Sequence, residues 1–288
     1  MKSALPIATV VLTIIAAWCV AAVLLNAPLQ RDAYANAGRT DYSSRDLLVD
    51  SLNMERPKLP GPHQVVGELY KLVFATPPTS KRSLVYHGII TLEETLVGFL
   101  AGAALGIGLA VVIVSVGWLD RSLTPWLVAS QTIPIIALAP MIVVILYQFN
   151  ITGVAPKAAI AAYLSFFPIT VGMVKGFRSP DPLQLDLMRT YSATRLQTFL
   201  KLRAPASASF FFASMKIGAA AALVGAVVAE VTKSEDGGLG ARLLAGSYYG
   251  QTVQIWAALF AAAALSAALV GLVGLVGRLT ERRMGAHP

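Results

Sequence analysis

Charge, histidine and cysteine are all scarce in this chain. Of its 288 residues only 13% are Asp, Glu, Lys or Arg, where a soluble domain carries roughly 25%. Cys19 is the single cysteine, so no intramolecular disulfide can form. His63, His87 and His287 are too scattered to suggest a metal site. A Gly-x-x-x-x-Gly-Lys-Ser/Thr phosphate loop is missing, which excludes ATP hydrolysis by the chain itself, and His-Glu-x-x-His is missing too. Ser165, Ser207, Ser209 and Ser214 lack any spaced base that would mark a nucleophile, so hydroxyls bonding helix carbonyls are the expectation. No period of about 20 to 50 residues recurs, which excludes a repeat architecture. No catalytic constellation, metal or cofactor follows from these residues.

Apolar surface is what the chain has in excess. Hydrophobic residues make up 56% and the mean hydropathy is +0.66, a membrane composition. A bilayer core of about 30 Å needs roughly 20 apolar residues per helix. Six segments qualify: Leu5 to Leu25, Ile89 to Val116, Leu123 to Leu146, Ala158 to Val174, Phe210 to Val231 and Ile255 to Leu279. The expected fold is therefore all-α, a polytopic bundle of about six transmembrane helices. Pro134 and Pro140 predict a kink or break in the third, tolerated where neighbours satisfy the freed carbonyls.

Orientation follows from the short loops. Lys175, Arg178, Arg189, Arg195, Lys201 and Arg203 flank the fourth and fifth spans, and Arg278, Arg282 and Arg283 follow the sixth. The positive-inside rule puts these in the cytoplasm. The connections Tyr147 to Lys157 and Thr232 to Gln254 are poor in Lys and Arg and face outward, so both termini are inside. The long segment from Pro28 to Arg82 is also assigned outward, its basic residues partly offset by acids. The net charge of +8 belongs to this topology and implies a lipid-bilayer partner, with no sign of a nucleic-acid one.

At the N-terminus, Lys2, the apolar run and Ala35-Asn36-Ala37 resemble a cleavable signal. The run exceeds an h-region of about 7 to 15 residues and the Ala-x-Ala lies well beyond it, so an uncleaved span over residues 1–26 is expected. Residues 27–82 read as an outward linker, extended and punctuated by Pro57, Pro60 and Pro62, followed by a short surface helix over His63 to Phe74. The main transmembrane domain covers 83–279, and 280–288 form a cytoplasmic tail.

Inside the spans, Gly98, Gly102 and Gly106 form a ridge that permits close helix approach. Packing within one bundle is the expected use, with a subunit interface as the other. Gly218, Ala219 to Ala222 and Gly225 offer the same on the fifth span. Tyr163, Phe166 and Phe167 are expected to pack. Ionisable groups at membrane depth are functional candidates by default: Glu93, Glu94, Glu230 and Lys216, the last able to snorkel. For Glu230 two readings stand, a structural hydrogen bond or ion pair and a pathway-lining or gating role. Gly237, Gly238 and Gly240 allow sharp turns and close backbone approach, and the stretch Ala241 to Tyr249 could dip back from the outer face.

The polar interruption 178–206 reads as two short amphipathic helices and a tight turn. Asp181 followed by Pro182 starts one, because the carboxylate accepts orphan N–H groups and proline suits the first helical position. Leu183, Leu187, Met188 and Tyr191 share its apolar side. Thr194-Arg195-Leu196-Gln197 is a capping box that starts a second helix carrying Leu196, Phe199 and Leu200, and Pro205 marks its end. Such a pair is too charged for lipid and too apolar for an idle loop, so something covers it.

Asp186, Ser192, Leu202 and Ala204-Pro205 stand at the offsets of the EAA loop, and the segment resembles that loop of bacterial ABC-importer permeases. Asp stands for Glu, Ser for the turn Gly, and Ala for the Leu before proline. In that family the loop is a cytoplasmic coupling helix seated in a groove of the ATP-binding cassette subunit. The resemblance assigns ATPase coupling to Asp186, Leu187, Met188, Ser192, Ala193, Arg195, Leu196 and Pro205. Glu230 with Gly238-Leu239-Gly240, Thr132-Ile133-Pro134, Phe166-Phe167-Pro168, Ala193 and Pro205-Ala206 further resemble the nitrate/sulfonate/taurine branch. The likeness runs from about Leu59 to Arg278 and leaves Pro28 to Arg56 outside it. It implies a type I importer-like fold in a bacterial inner membrane and a non-catalytic subunit, paired as a homodimer. A periplasmic solute-binding protein is the expected outer partner, and the load is a small polar or anionic solute. Glu230, Gly238 and Gly240 are the pathway or gating candidates. The alternatives are an ion- or proton-coupled secondary transporter, which usually shows inverted repeats that are not seen here, and a scaffold without transport.

Overall fold

A computed structural model describes residues 4–283; Lys2, His287 and most of the expected tail lie outside them. Every regular element of the described chain is a helix. In order it forms α1 (Ala4–Asn36), α2 (Ser44–Leu52), α3 (Pro62–Tyr70), α4 (Leu84–Ser115), α5 (Gly117–Ser130), α6 (Ile135–Gln148), α7 (Val154–Phe177), α8 (Pro182–Thr190), α9 (Arg195–Thr198), α10 (Ala204–Ala206), α11 (Ala208–Thr232), α12 (Leu239–Tyr248) and α13 (Thr252–Arg283). π-Helical turns Lys71–Ala75 and Phe199–Arg203 extend α3 and α9. Among the described residues five helices are long and apolar enough to cross a bilayer, or six if α5 and α6, bent by 101° at their junction, count as one broken span. The break lies just before Pro134, where the sequence predicts one.

Two compact units divide the chain. The first holds the residues up to His87 together with Ala241–Ala262. Here the extended linker expected after Asn26 is corrected: α1 runs on to Asn36 through Pro28, and α2 follows. Asn26 explains why. Its fully buried amide donates to the carbonyls of Ser51 (3.0 Å) and Leu59 (2.8 Å) and accepts from the Lys58 and Leu59 N–H groups. One side chain thus satisfies a returning strand of backbone that has no regular partner. Trp18 donates to the Pro60 carbonyl at 3.0 Å and stacks on Phe260. Ser43 and Asp46 cap α2 reciprocally.

The second unit holds Gly88–Gly240 and the residues from Ala263 onward. Its centre is α7 against α11, closely apposed because α11 presents Ala219, Ala222 and Ala226, all fully buried. The glycine ridge of α4 lies on α7. A Cβ at Gly102 would overlap the Ser165 hydroxyl, one at Gly98 would fall on Ala161, and one at Gly106 would lie 2.7 Å from the Phe166 carbonyl. The ridge therefore serves packing within the bundle. Phe166 is buried as expected, and Tyr163 hydrogen-bonds the Ser130 carbonyl, closing the last turn of α5 beside the break. α5 buries none of its residues.

Candidate functional site

The segment between α7 and α11 folds as a helix–turn–helix. Asp181 Oδ1 accepts from the Leu183 N–H at 2.8 Å, and Gln184 Oε1 accepts from the Asp181 N–H. At the second start, Thr194 Oγ1 accepts from the Gln197 N–H at 3.2 Å and Gln197 Oε1 from the Thr194 N–H at 2.8 Å. Ser192 occupies the turn with φ +51°, so a serine carries the left-handed conformation that glycine would take at lower cost. The Ala193 N–H closes the turn onto the Met188 carbonyl at 3.0 Å. Pro205 does not end the second helix. A wider π-helical turn precedes it and the proline falls in the first turn of α10, where its missing N–H costs nothing; α11 follows within two residues.

On this element Leu183, Leu187, Tyr191, Leu196 and Leu200 are all exposed, from 55% to 78%. Met188 and Ala193 are half-buried beneath them. Asp186 is exposed and accepts from the Arg189 guanidinium at 2.9 Å. Arg178 holds Asp120 at 2.8 Å beside the element.

The far end of α11 carries a second constellation. Glu230 is fully buried and both of its oxygens are engaged. Thr91 of α4 donates to Oε1 at 2.6 Å, and the Gly240 N–H donates to Oε2 at 2.6 Å. The Leu239 N–H in turn donates to Thr91 Oγ1 at 2.9 Å. Gly238 has φ +109°, and a Cβ there would overlap the Glu230 carboxylate; at Gly240 it would overlap the Val227 carbonyl and lie 3.0 Å from Glu230 Oε2. The structure thus brings together the three residues Glu230, Gly238 and Gly240 singled out from the sequence. The glycines are there because the loop backbone lies directly on the carboxyl.

Beside them the buried Lys157 ammonium of α7 pairs with Glu94 of α4 at 2.8 Å and with Asp236 of the loop at 3.6 Å. Lys233 reaches Asp236 at 3.2 Å and sits over the Tyr147 ring. Ionised groups with no access to water need such partners. Lys157 and Thr91 were missed from the sequence. Both left a signal: a lysine in the first turn of an apolar helix is opposed by the helix dipole and implies a nearby acid, and Thr91 precedes Glu94 by three residues, on the same helix face. Glu93 is exposed, and Lys216 lies against Gly274 along its methylene stem. Among the described residues no cluster of His, Cys, Asp and Glu could hold a metal ion.

The sequence profile of the family described as "Binding-protein-dependent transport system inner membrane component" matches residues 102–286, which take in the helix–turn–helix, Lys157 and the Glu230 loop. Over 224 residues the chain is 30% identical to the riboflavin transport system permease protein RibX of Chloroflexus aurantiacus, spanning 78% of this chain and 80% of that one. With the formylaminopyrimidine transport permease protein ThiX of Halalkalibacterium halodurans it shares 34% over 179 residues, 62% of this chain and 67% of that one. With the nitrate import permease protein NrtB of Synechococcus elongatus it shares 26% over 243 residues, 81% and 84% of the two chains. By this match the chain belongs to the family of inner-membrane components of binding-protein-dependent transport systems, the permease subunits of ABC importers.

Proposed function

We propose that the chain forms the solute pathway of an ATP-driven importer, as a homodimer, for a small polar or anionic solute of nitrate, sulfonate, taurine or heterocyclic precursor type. Both termini face the cytoplasm, a separate ATP-binding cassette subunit docks on the helix–turn–helix, and a solute-binding protein delivers from outside. The observation that carries the docking is the row Leu183, Leu187, Tyr191, Leu196 and Leu200. These side chains project from an element between two spans, rimmed by Arg189, Arg195 and Lys201, which do not enter hydrocarbon. An apolar row in such surroundings marks a protein contact. Asp186, Leu187, Met188, Ser192, Ala193, Arg195, Leu196 and Pro205 form or support that surface.

At the other end of α11, Glu230 holds the glycine loop shut against α4. We assign it a gating role: with both oxygens committed, the loop lifts only when Thr91 and Gly240 let go. The names of the relatives support the range of solutes, and a separate binding protein would do most of the selecting.

The test is affinity purification of the detergent-solubilised protein from its native membrane, wild type against Asp186→Arg with Leu196→Asp. An ATP-binding subunit should accompany the wild type and be lost from the double variant. Abundant, folded wild-type protein with no ATPase attached would overturn the coupling assignment.

A further inference from the structure

Behind the proposed docking row lies a cavity of about 360 Å³ between the end of α4 and the helix–turn–helix. Arg189, Arg195 and Arg203 line it together with Ser115, and Val114, Leu185 and Phe199 form its apolar wall. No acidic residue is among its lining. Asp186 neutralises Arg189 from outside, and among the described residues Arg195 and Arg203 have no carboxylate partner. Guanidinium groups gathered around one hollow repel each other unless an anion joins them, and their planar forks match phosphate oxygens two at a time.

The depth of the cavity narrows the ligand further. Val114 and Ser115 are the last two residues of α4, a candidate span. Trp118, exposed at 69%, follows at the start of α5, and Trp126, exposed at 76%, lies about two turns further along it. Tryptophans flanking the end of a span mark the level of lipid headgroups, and basic pockets at that level between helices accept anionic headgroups. We propose that this cavity binds a phosphate group, with Arg195 and Arg203 as its ligands and Arg189 at the rim, and that an anionic phospholipid supplies it. The headgroup meets the guanidiniums while Val114, Leu185 and Phe199 receive the glycerol end. Its occupant braces α8 and α9 against α4, and none of Leu183, Leu187, Tyr191, Leu196 or Leu200 lines the cavity. Ala193 and Arg195 are shared with the proposed docking surface, so lipid retention is read on the chain alone, apart from any ATPase.

Native mass spectrometry of the full chain in detergent, titrated with dioleoyl phosphatidylglycerol or dioleoyl phosphatidylcholine, tests this. The wild type should retain one phosphatidylglycerol per chain in preference to phosphatidylcholine. Arg195→Gln with Arg203→Gln should weaken that retention by about a hundredfold, roughly tenfold for each lost charge-assisted hydrogen bond. Arg282→Gln, outside the cavity, should leave it unchanged. Should the Gln pair fail to fold, Arg195→Lys with Arg203→Lys keeps the charge and should still bind less, because the fork is gone. Equal retention of both lipids, or undiminished phosphatidylglycerol in the cavity variants, overturns the site. If millimolar inorganic phosphate displaces the lipid, and only from wild type, the phosphate site holds and a lipid source is overturned in favour of a soluble one.

Discussion

Both oxygens of Glu230 accept a hydrogen bond from a different partner, Thr91 O–H and Gly240 N–H. Glu230→Gln keeps the volume but turns an NH2 group toward one of these donors. The complex should still assemble and elute as a single species on gel filtration, while ATP hydrolysis stimulated by the binding protein falls about tenfold, the effect of one lost hydrogen bond to a charged group. A variant that no longer assembles would point to a structural role instead. Lys157 makes a sharper case. Removing one member of a buried pair strands the other, at a cost of about 3–5 kcal/mol, so Lys157→Met should lower the melting temperature markedly in detergent. Adding Glu94→Gln should restore most of it, because no uncompensated buried carboxylate then remains on α4. If the double variant melts no higher than Lys157→Met alone, the Glu94 pair is not what Lys157 contributes.

At the level of elements, the contact between α4 and α7 depends on the absence of side chains. Gly102→Leu would drive a branched group into Ser165 and the Ala162 carbonyl; overpacking of this kind costs about 1–3 kcal/mol or more. The variant should show reduced yield and an earlier thermal transition, whereas Gly108→Leu, with open space around its Cα, should melt like the wild type. The ridge and both caps of the helix–turn–helix were legible from residue spacing alone, since i,i+4 glycines and Thr-x-x-Gln act locally. The break before Pro134 was legible for the same reason. What could not be read is non-local. Asn26 folds residues 51–59 back onto α1 through four hydrogen bonds, and a proline-rich polar stretch gives no periodic sign of such a partner. The Lys157–Glu94 pair joins residues 63 apart in sequence, and only its energetic oddity hinted at it. Likewise Pro205 looked like a stop because the wide turn before it has no sequence signature.

For the whole molecule, the proposed topology puts the Glu230 loop and the chain end on opposite sides of the bilayer. With the lone cysteine removed (Cys19→Ala), Ser234→Cys should react with a membrane-impermeant maleimide added to intact cells, and Arg282→Cys should react only after the membrane is opened. The reverse pattern would invert the assignment. The two candidate sites are also joined covalently. α11 starts two residues after the helix–turn–helix and ends two residues beyond Glu230, and 25 helical residues at about 1.5 Å each make a rod of roughly 38 Å. Its hydrogen-bond ladder resists stretching, and its middle is wedged against α7 through Ala219, Ala222 and Ala226. A rod like this passes on tilt rather than length: pivoting by about 10° about that alanine contact would swing its tip by roughly 3 Å. That is far more than the give in two 2.6 Å hydrogen bonds. On the proposed coupling and gating roles, the carboxylate at the tip would behave as a mechanical fuse, whole or broken with nothing between, turning a gradual push at one face of the membrane into an all-or-none event at the other.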